Sequence, residues 1–167
     1  MKVLGLLRHA KSDWGQSDLD DHARVLNARG RRSCDLVGNW LASRHYLPDQ
    51  VLCSSSARTV ETWRRLSAHL PSPPSLAPVA ALYQASALTM FDCLTGAEGR
   101  TVAMLGHNPG IGAFASQMAA ERPHHAGFGR FPTLATLVLE FGVGQWPELK
   151  RHSGKVIDFV VPRDLDN

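Results

Sequence analysis

The chain is 167 residues long with 44% hydrophobic and 20% charged residues, which fits a single globular domain over residues 1–167 and excludes wholesale disorder. Its net charge of +3, histidines neutral, suits an anionic substrate, and without an aromatic-interleaved Lys/Arg stripe it gives no case for nucleic acid. Cys34, Cys53 and Cys93 are odd in number and far apart, and no apolar stretch approaches a membrane span or a secretory leader, so a soluble cytoplasmic protein with reduced thiols is expected.

Lys2-Val3-Leu4-Gly5-Leu6-Leu7 is a nearly continuous apolar run of the kind that makes a buried parallel strand, and it passes directly into Arg8-His9-Ala10-Lys11-Ser12. Ligands of open α/β sheets bind outside the carboxyl ends of the strands, so this arginine and imidazole are placed to hold and attack an anion; solvated loop residues are the plain alternative. The polar stretch from Lys11 to Asp21 reads as a loop over the strand ends. Asn27 offers an N-cap, and Cys34, Val37, Trp40 and Leu41 recur at helical spacing, which predicts a helix over 28–44 with Pro48 past its exit.

Val51-Leu52-Cys53 predicts a second strand, and the serines of Ser54-Ser55-Ser56 can cap the helix that follows. In that helix Val60, Trp63, Leu66 and Leu70 share a face, and Arg58 falls in the first turn, again just past a strand end. Prolines from Pro71 to Pro78 give an extended crossover, and Ala85 to Leu94 a short helix. Thr101 to Leu105 is a third strand, ending in Gly106-His107-Asn108-Pro109-Gly110. Leu134 to Phe141 and Lys155 to Val161 then read as an antiparallel pair joined through a Gly/Pro-containing loop. The expected fold is α/β, a three-layer α/β/α arrangement whose mostly parallel sheet has an antiparallel C-terminal edge.

Arg8 with His9, Arg58, and His107 thus lie at three strand ends, where a doubly wound sheet can bring them around one small volume. Guanidinium forks match phosphate oxygens bidentately, so such a pocket suits a phosphoryl group. The three runs Leu7-Arg8-His9-Ala10-Lys11-Ser12, Ser54 to Thr62 and Gly106-His107-Asn108-Pro109-Gly110 resemble the histidine phosphatase superfamily, which includes the phosphoglycerate mutases. The small size and the Arg-His-Ala-Lys-Ser form resemble its SixA-like phosphohistidine phosphatases. The resemblance implies a phosphoglycerate mutase-like fold and a metal-independent phosphatase with no cofactor, in which His9 is the nucleophile and Arg8, Arg58 and His107 bind the phosphoryl group. It implies as substrate a phosphohistidine protein, with small phosphate esters as the alternative and a non-catalytic phosphate-binding module as a reading of a different class. Flanking arginines agree with this, since they disfavour the charged imidazole and stabilise charge on a transferring phosphoryl group.

Several positions stay open. Larger members of the superfamily use a carboxylate between the second arginine and the second histidine as proton donor; here that interval holds Glu61, Asp92 and Glu98, none in a recognisable motif. Glu61 is expected to salt-bridge on its helix, which leaves the Asp13 to Asp21 loop or water as a proton source, or a substrate that needs little help. A phosphoramidate is such a substrate, because imidazole departs more readily than an alkoxide. Asp20-Asp21-His22-Ala23-Arg24-Val25-Leu26 resembles the Asp-His-x-Arg-Pro-Leu run of the small members, with Val25 in place of proline, and His22 either takes part in function or only folds the loop. Ser12 either donates to phosphate or caps the loop. Cys53 and Arg58 have one residue too few between them for a Cys-x5-Arg phosphate loop, and His124-His125 lacks partners at metal-ligand spacing.

Overall fold

The computed structural model describes residues 1–166. Its strands are β1 (Lys2–Arg8), β2 (Gln50–Ser54), β3 (Pro78–Val79), β4 (Thr101–Gly106), β5 (Thr136–Phe141) and β6 (Lys155–Val160). Helices α1 (Ala28–Ser43), α2 (Ala57–Ser67), α3 (Ala87–Thr95), α4 (Gly110–Met118) and α5 (Pro162–Leu165) lie between and after them.

The strands form one sheet in the order β3-β2-β4-β1-β5-β6. The first four run parallel, and β5 is antiparallel to both of its neighbours. β5 and β6 form the antiparallel pair expected at the C-terminal edge, and β6 itself runs in the direction of β1. Alternation along β1 divides its side chains between two cores. Leu4 and Leu6 pack with Met90, Leu94, Phe114 and Met118 of α3 and α4, and Leu7 packs with Val37, Trp40, Trp63 and Leu66 of α1 and α2. Helices thus cover both faces, giving the three-layer architecture.

Local chemistry explains the helix starts. The Asn27 side chain accepts from the Gly30 amide to cap α1, as Ser56 accepts from Thr59 to cap α2 and Ser86 from Thr89 to cap α3. Three elements escape the sequence reading, among them the four-residue α5 after the last strand. One is β3, a two-residue strand inside the proline-rich crossover, pairing with Cys53 and Ser54. Another is α4, which buries Ile111, Phe114, Ala115 and Met118 on one face but lacks amphipathic contrast because Gly112, Ala113 and Ser116 on the other are small and uncharged.

The connection that matters for chemistry skips a position: the chain passes from β1 to β2, and β4 later inserts between them. Arg8 pairs with Gly106, so His9 and His107 leave adjacent parallel strands at the same height. The sheet itself brings the two histidines together.

Candidate active site

At that edge a pocket of about 230 Å³ is lined by Arg8, His9, Ser12, Trp14, Asp21, Arg58, His107, Asn108 and Thr133, among others. Neighbouring strands lie about 4.8 Å apart, and the His9 and His107 ring centroids are 5.3 Å apart, as the register requires.

His9 is buried, and its Nδ1 lies 2.7 Å from the carbonyl oxygen of Ala10. A carbonyl can only accept, so the ring proton resides on Nδ1 and the Nε2 lone pair is left for chemistry. Burial, together with the nearby His107, Arg58 and Arg8, holds the imidazole down at a pKa of about 3 despite the opposing bond to Ala10. His9 is therefore neutral at ordinary pH. Its loop is fixed in turn: the Ala10 amide donates to Thr62 Oγ1 at 3.0 Å, and the Thr62 hydroxyl donates to the Arg58 carbonyl at 2.7 Å.

His107 is held from both sides. Its Nδ1 faces Nη2 of Arg58 at 3.3 Å, a donor under all conditions, which makes Nδ1 the acceptor and puts the proton on Nε2, 2.7 Å from Ser54 Oγ. Burial and the Arg58 charge bring its pKa down to about 4. A phosphoryl dianion placed beside the ring favours the protonated form, in which Nδ1 turns from acceptor to donor and the Arg58 Nη2 contact to it gives way to the phosphoryl oxygens.

The arginines are anchored differently. Arg8 donates from Nη1 to the Phe131 carbonyl at 3.2 Å, the same oxygen that accepts from Asn108 Nδ2 at 3.0 Å. Its buried Nε has no protein partner. Phe131 and Leu134 adopt positive φ of 46° and 57°, unusual for bulky residues, and are held there by complete burial. Arg58 donates to Asp21 through the backbone carbonyl at 2.8 Å and through Oδ2 at 3.1 Å. Tyr83 donates to the same Oδ2, and this bond and Arg58 keep the Asp21 carboxyl below its ordinary range.

The pocket gathers His9, Arg8, Arg58, His107 and Ser12, the positions that the sequence reading assigned to the nucleophile and to phosphoryl binding. Ser12 is buried and bridges to Leu26 across the loop, and its carbonyl accepts from Asn27. His22 reaches Ser55 Oγ at 2.9 Å and packs edge-on to Tyr83, forming the wall behind His107. The Asp-His-x-Arg run is thus a clamp: Asp21 on Arg58, His22 on Ser55, and Arg24 with its Cζ 4.1 Å from the exposed Trp14 ring.

Other candidates fall away from the site. Glu61 binds Arg65 on its own helix at 2.7 Å, and it also accepts from Arg31 of α1 and from the Leu26 amide. Neither it nor Asp92 nor Glu98 lines the pocket; Asp21 is its one lining carboxylate. The Cys53 thiol is pushed up to about 12 by burial, which removes it as a nucleophile. His125 bonds Asp164 at 2.8 Å, and no cluster of three or more His, Cys, Asp or Glu suited to a metal occurs among the described residues.

Sequence reasoning missed Tyr83, Asn108 and Ser54 as parts of this site. Asn108 follows His107 directly, and Ser54 ends β2 beside it, so both carried a positional signal. Tyr83 carried none.

The family model of the histidine phosphatase superfamily (branch 1) matches residues 4–80. Among solved structures, one named as a phosphohistidine phosphatase SixA of Agrobacterium tumefaciens superimposes with a TM-score of 0.78 at 25% identity, covering 96% of this chain and 98% of that one. The structure of the protein histidine phosphatase SixA complexed with tungstate gives 0.79 at 18% identity, over 98% of this chain and 99% of that one, a likeness of fold. An uncharacterized chloroplastic protein of Arabidopsis thaliana is 30% identical over 125 residues; the match takes in 68% of this chain and 57% of that protein's length. No helix among the described residues is long and apolar enough to cross a membrane.

Proposed function

Because the chain belongs to the histidine phosphatase superfamily, we propose that it is a metal-independent phosphatase that passes the phosphoryl group through His9, with phosphohistidine in a protein as its preferred substrate. The observation that carries this reading is the bond from His9 Nδ1 to Ala10, which fixes the tautomer and leaves Nε2 toward a pocket walled by two arginines and a second imidazole.

In the first transfer His9 Nε2 attacks phosphorus as the bond to the leaving nitrogen breaks. A phosphoimidazole protonated on its other nitrogen departs as neutral imidazole, so no acid from the protein is needed. The phosphorylated His9 ring is in the same position. Its Nδ1 proton, kept in place by Ala10, lets the ring leave as neutral imidazole when water attacks phosphorus, and both water hydrogens remain on the released phosphate. Arg8, Arg58 and protonated His107 carry the charge of the equatorial oxygens through both steps, where a metal would otherwise be needed.

Hydrolysis of a small alkyl phosphate places a heavier demand on the site, since an alkoxide must be protonated as it leaves. Asp21 is the lining carboxylate, but Tyr83 and Arg58 favour its ionised form, which argues for phosphoramidates over esters. The test compares a phosphohistidine peptide with an alkyl phosphate in the presence of EDTA. The expected result is faster turnover of the peptide, lost in His9→Ala. Faster ester hydrolysis would overturn the substrate assignment, and absence of turnover with retained phosphate binding would make the chain a binder.

A further inference from the structure

Beside the phosphoryl pocket, and sharing Lys11 and Thr133 with it, runs a groove of about 460 Å³ between the first turn of α1 and α5. Lys11, Arg29, Arg32 and Arg163 line it, against Asp166 as its one side-chain carboxylate among the described residues. All four cations are exposed, and none enters an ion pair among the described residues.

Helix stability does not explain their placement. A helix N-terminus carries partial positive charge and favours Asp or Glu. The first turn of α1 has no acidic residue. Of Arg29, Arg31 and Arg32, Arg31 alone is matched, by Glu61 at 3.0 Å. Arg29 and Arg32 therefore work against the helix end they occupy, and with Lys11 and Arg163 they concentrate positive potential along a groove that opens into the site.

We propose that this groove docks an acidic segment of the phosphoprotein whose phosphoryl group enters the pocket, so that the substrate carries Asp and Glu around its phosphorylated residue. The proposal rests on the phosphatase reading. A chain leaving the pocket past Lys11 and Thr133 enters the groove directly, and the groove has twice the volume of the phosphoryl pocket, room for several side chains. Local charge on a chain whose net charge is only +3 fits a carboxylate-rich segment better than a nucleic acid backbone.

The test uses two phosphohistidine peptides, one flanked by Asp and Glu and one by neutral residues, with the full chain and its R29E/R32E variant. The acidic peptide should be preferred about tenfold in kcat/KM, through KM, with a preference that weakens as salt rises and vanishes in the variant. Phosphoramidate itself should be turned over equally by both proteins. Thermal stability should not fall, because the reversals place carboxylates at a helix N-terminus. Equal use of the two peptides by the wild type, or a preference that survives in the variant, overturns the proposal. Binding of the same acidic sequence without its phosphoryl group, followed by fluorescence anisotropy, separates the two levels. Binding lost in the variant, with no turnover of any substrate, would sink the phosphatase reading and keep the groove. Turnover of phosphoramidate with no response to flanking charge would do the reverse, and an oligonucleotide that displaces the acidic peptide at equal charge would overturn the choice of an acidic protein segment as the occupant.

Discussion

Asp21 holds Arg58 at two points, with its backbone carbonyl at 2.8 Å and its Oδ2 at 3.1 Å, so the guanidinium at the proposed phosphoryl pocket is aimed by a segment 37 residues away as much as by its own helix. This makes Asp21 a positioning residue that also subtracts one charge from the pocket. Asp21→Asn keeps an acceptor for Arg58 and Tyr83 and removes the charge. Turnover of phosphohistidine should stay within about threefold of wild type while inorganic phosphate inhibits more strongly. A fall of about a hundredfold or more, larger on alkyl phosphates, would instead make Asp21 the proton donor.

Ser54→Ala should separate orientation from nucleophilicity. The Ser54 hydroxyl is the acceptor for Nε2 of His107, and both residues are buried. An unsatisfied buried donor costs about 1–3 kcal/mol. Stability should drop by that order, and kcat/KM by about tenfold as His107 loses its fixed direction. Phosphoryl transfer to His9 should still occur at saturating substrate. An unchanged rate would show that His107 needs no support from β2.

Acid should destabilise the fold through the two site histidines. Their folded pKa values, about 3 for His9 and about 4 for His107, lie below the ordinary value of 6.5, mainly through burial. Above pH 6.5 neither folded nor unfolded rings carry the proton, and no dependence arises. As the pH falls from 6.5 toward 4, the unfolded chain takes up protons that the folded one refuses. Each histidine then removes about 1.4 kcal/mol per pH unit, until its own folded pKa is passed. Denaturant titrations at a series of pH values should show this slope, reduced by one proton in His9→Asn. The same shift keeps His9, the proposed nucleophile, neutral, so its protonation should leave activity untouched down to about pH 4. An acid limb near pH 6.5 that follows His9 would contradict the assigned burial.

What the sequence exposes and what it hides follow from the range of the interactions. Arg8, His9, Arg58 and His107 stand where apolar runs stop, and a strand end is a local signal; the sheet register then does the rest. The groove cations gave no such signal, because Lys11, Arg29, Arg32 and Arg163 come together only when α5 closes against the start of α1. Tyr83 sits in an irregular stretch after a proline-rich crossover, and its importance arises from a bond to Asp21 across 62 residues. The α4 helix was hidden because its outward positions, Ala113 and Ser116, are small rather than charged, and the Phe131 carbonyl that holds Arg8 depends on a backbone conformation that no residue type announces.

Gly110→Ala tests how tightly the His107 turn is packed. A Cβ at this first position of α4 would fall on the carbonyl oxygen of Ala85, a backbone atom that cannot swing aside. The change should cost about 2–3 kcal/mol and lower activity on every phosphorylated substrate alike, since it displaces the turn that carries His107. Gly142→Ala, where a Cβ meets nothing within 4 Å, is the matched control and should be close to neutral.

The covalent step is open to direct observation. Mixing enzyme with a phosphohistidine peptide, quenching under alkaline conditions within milliseconds and mapping the protein by mass spectrometry should find one acid-labile phosphoryl group, on His9, absent in His9→Ala. Undiminished turnover in His9→Ala, or a phosphoryl group recovered on any other residue, would contradict the proposed chemistry.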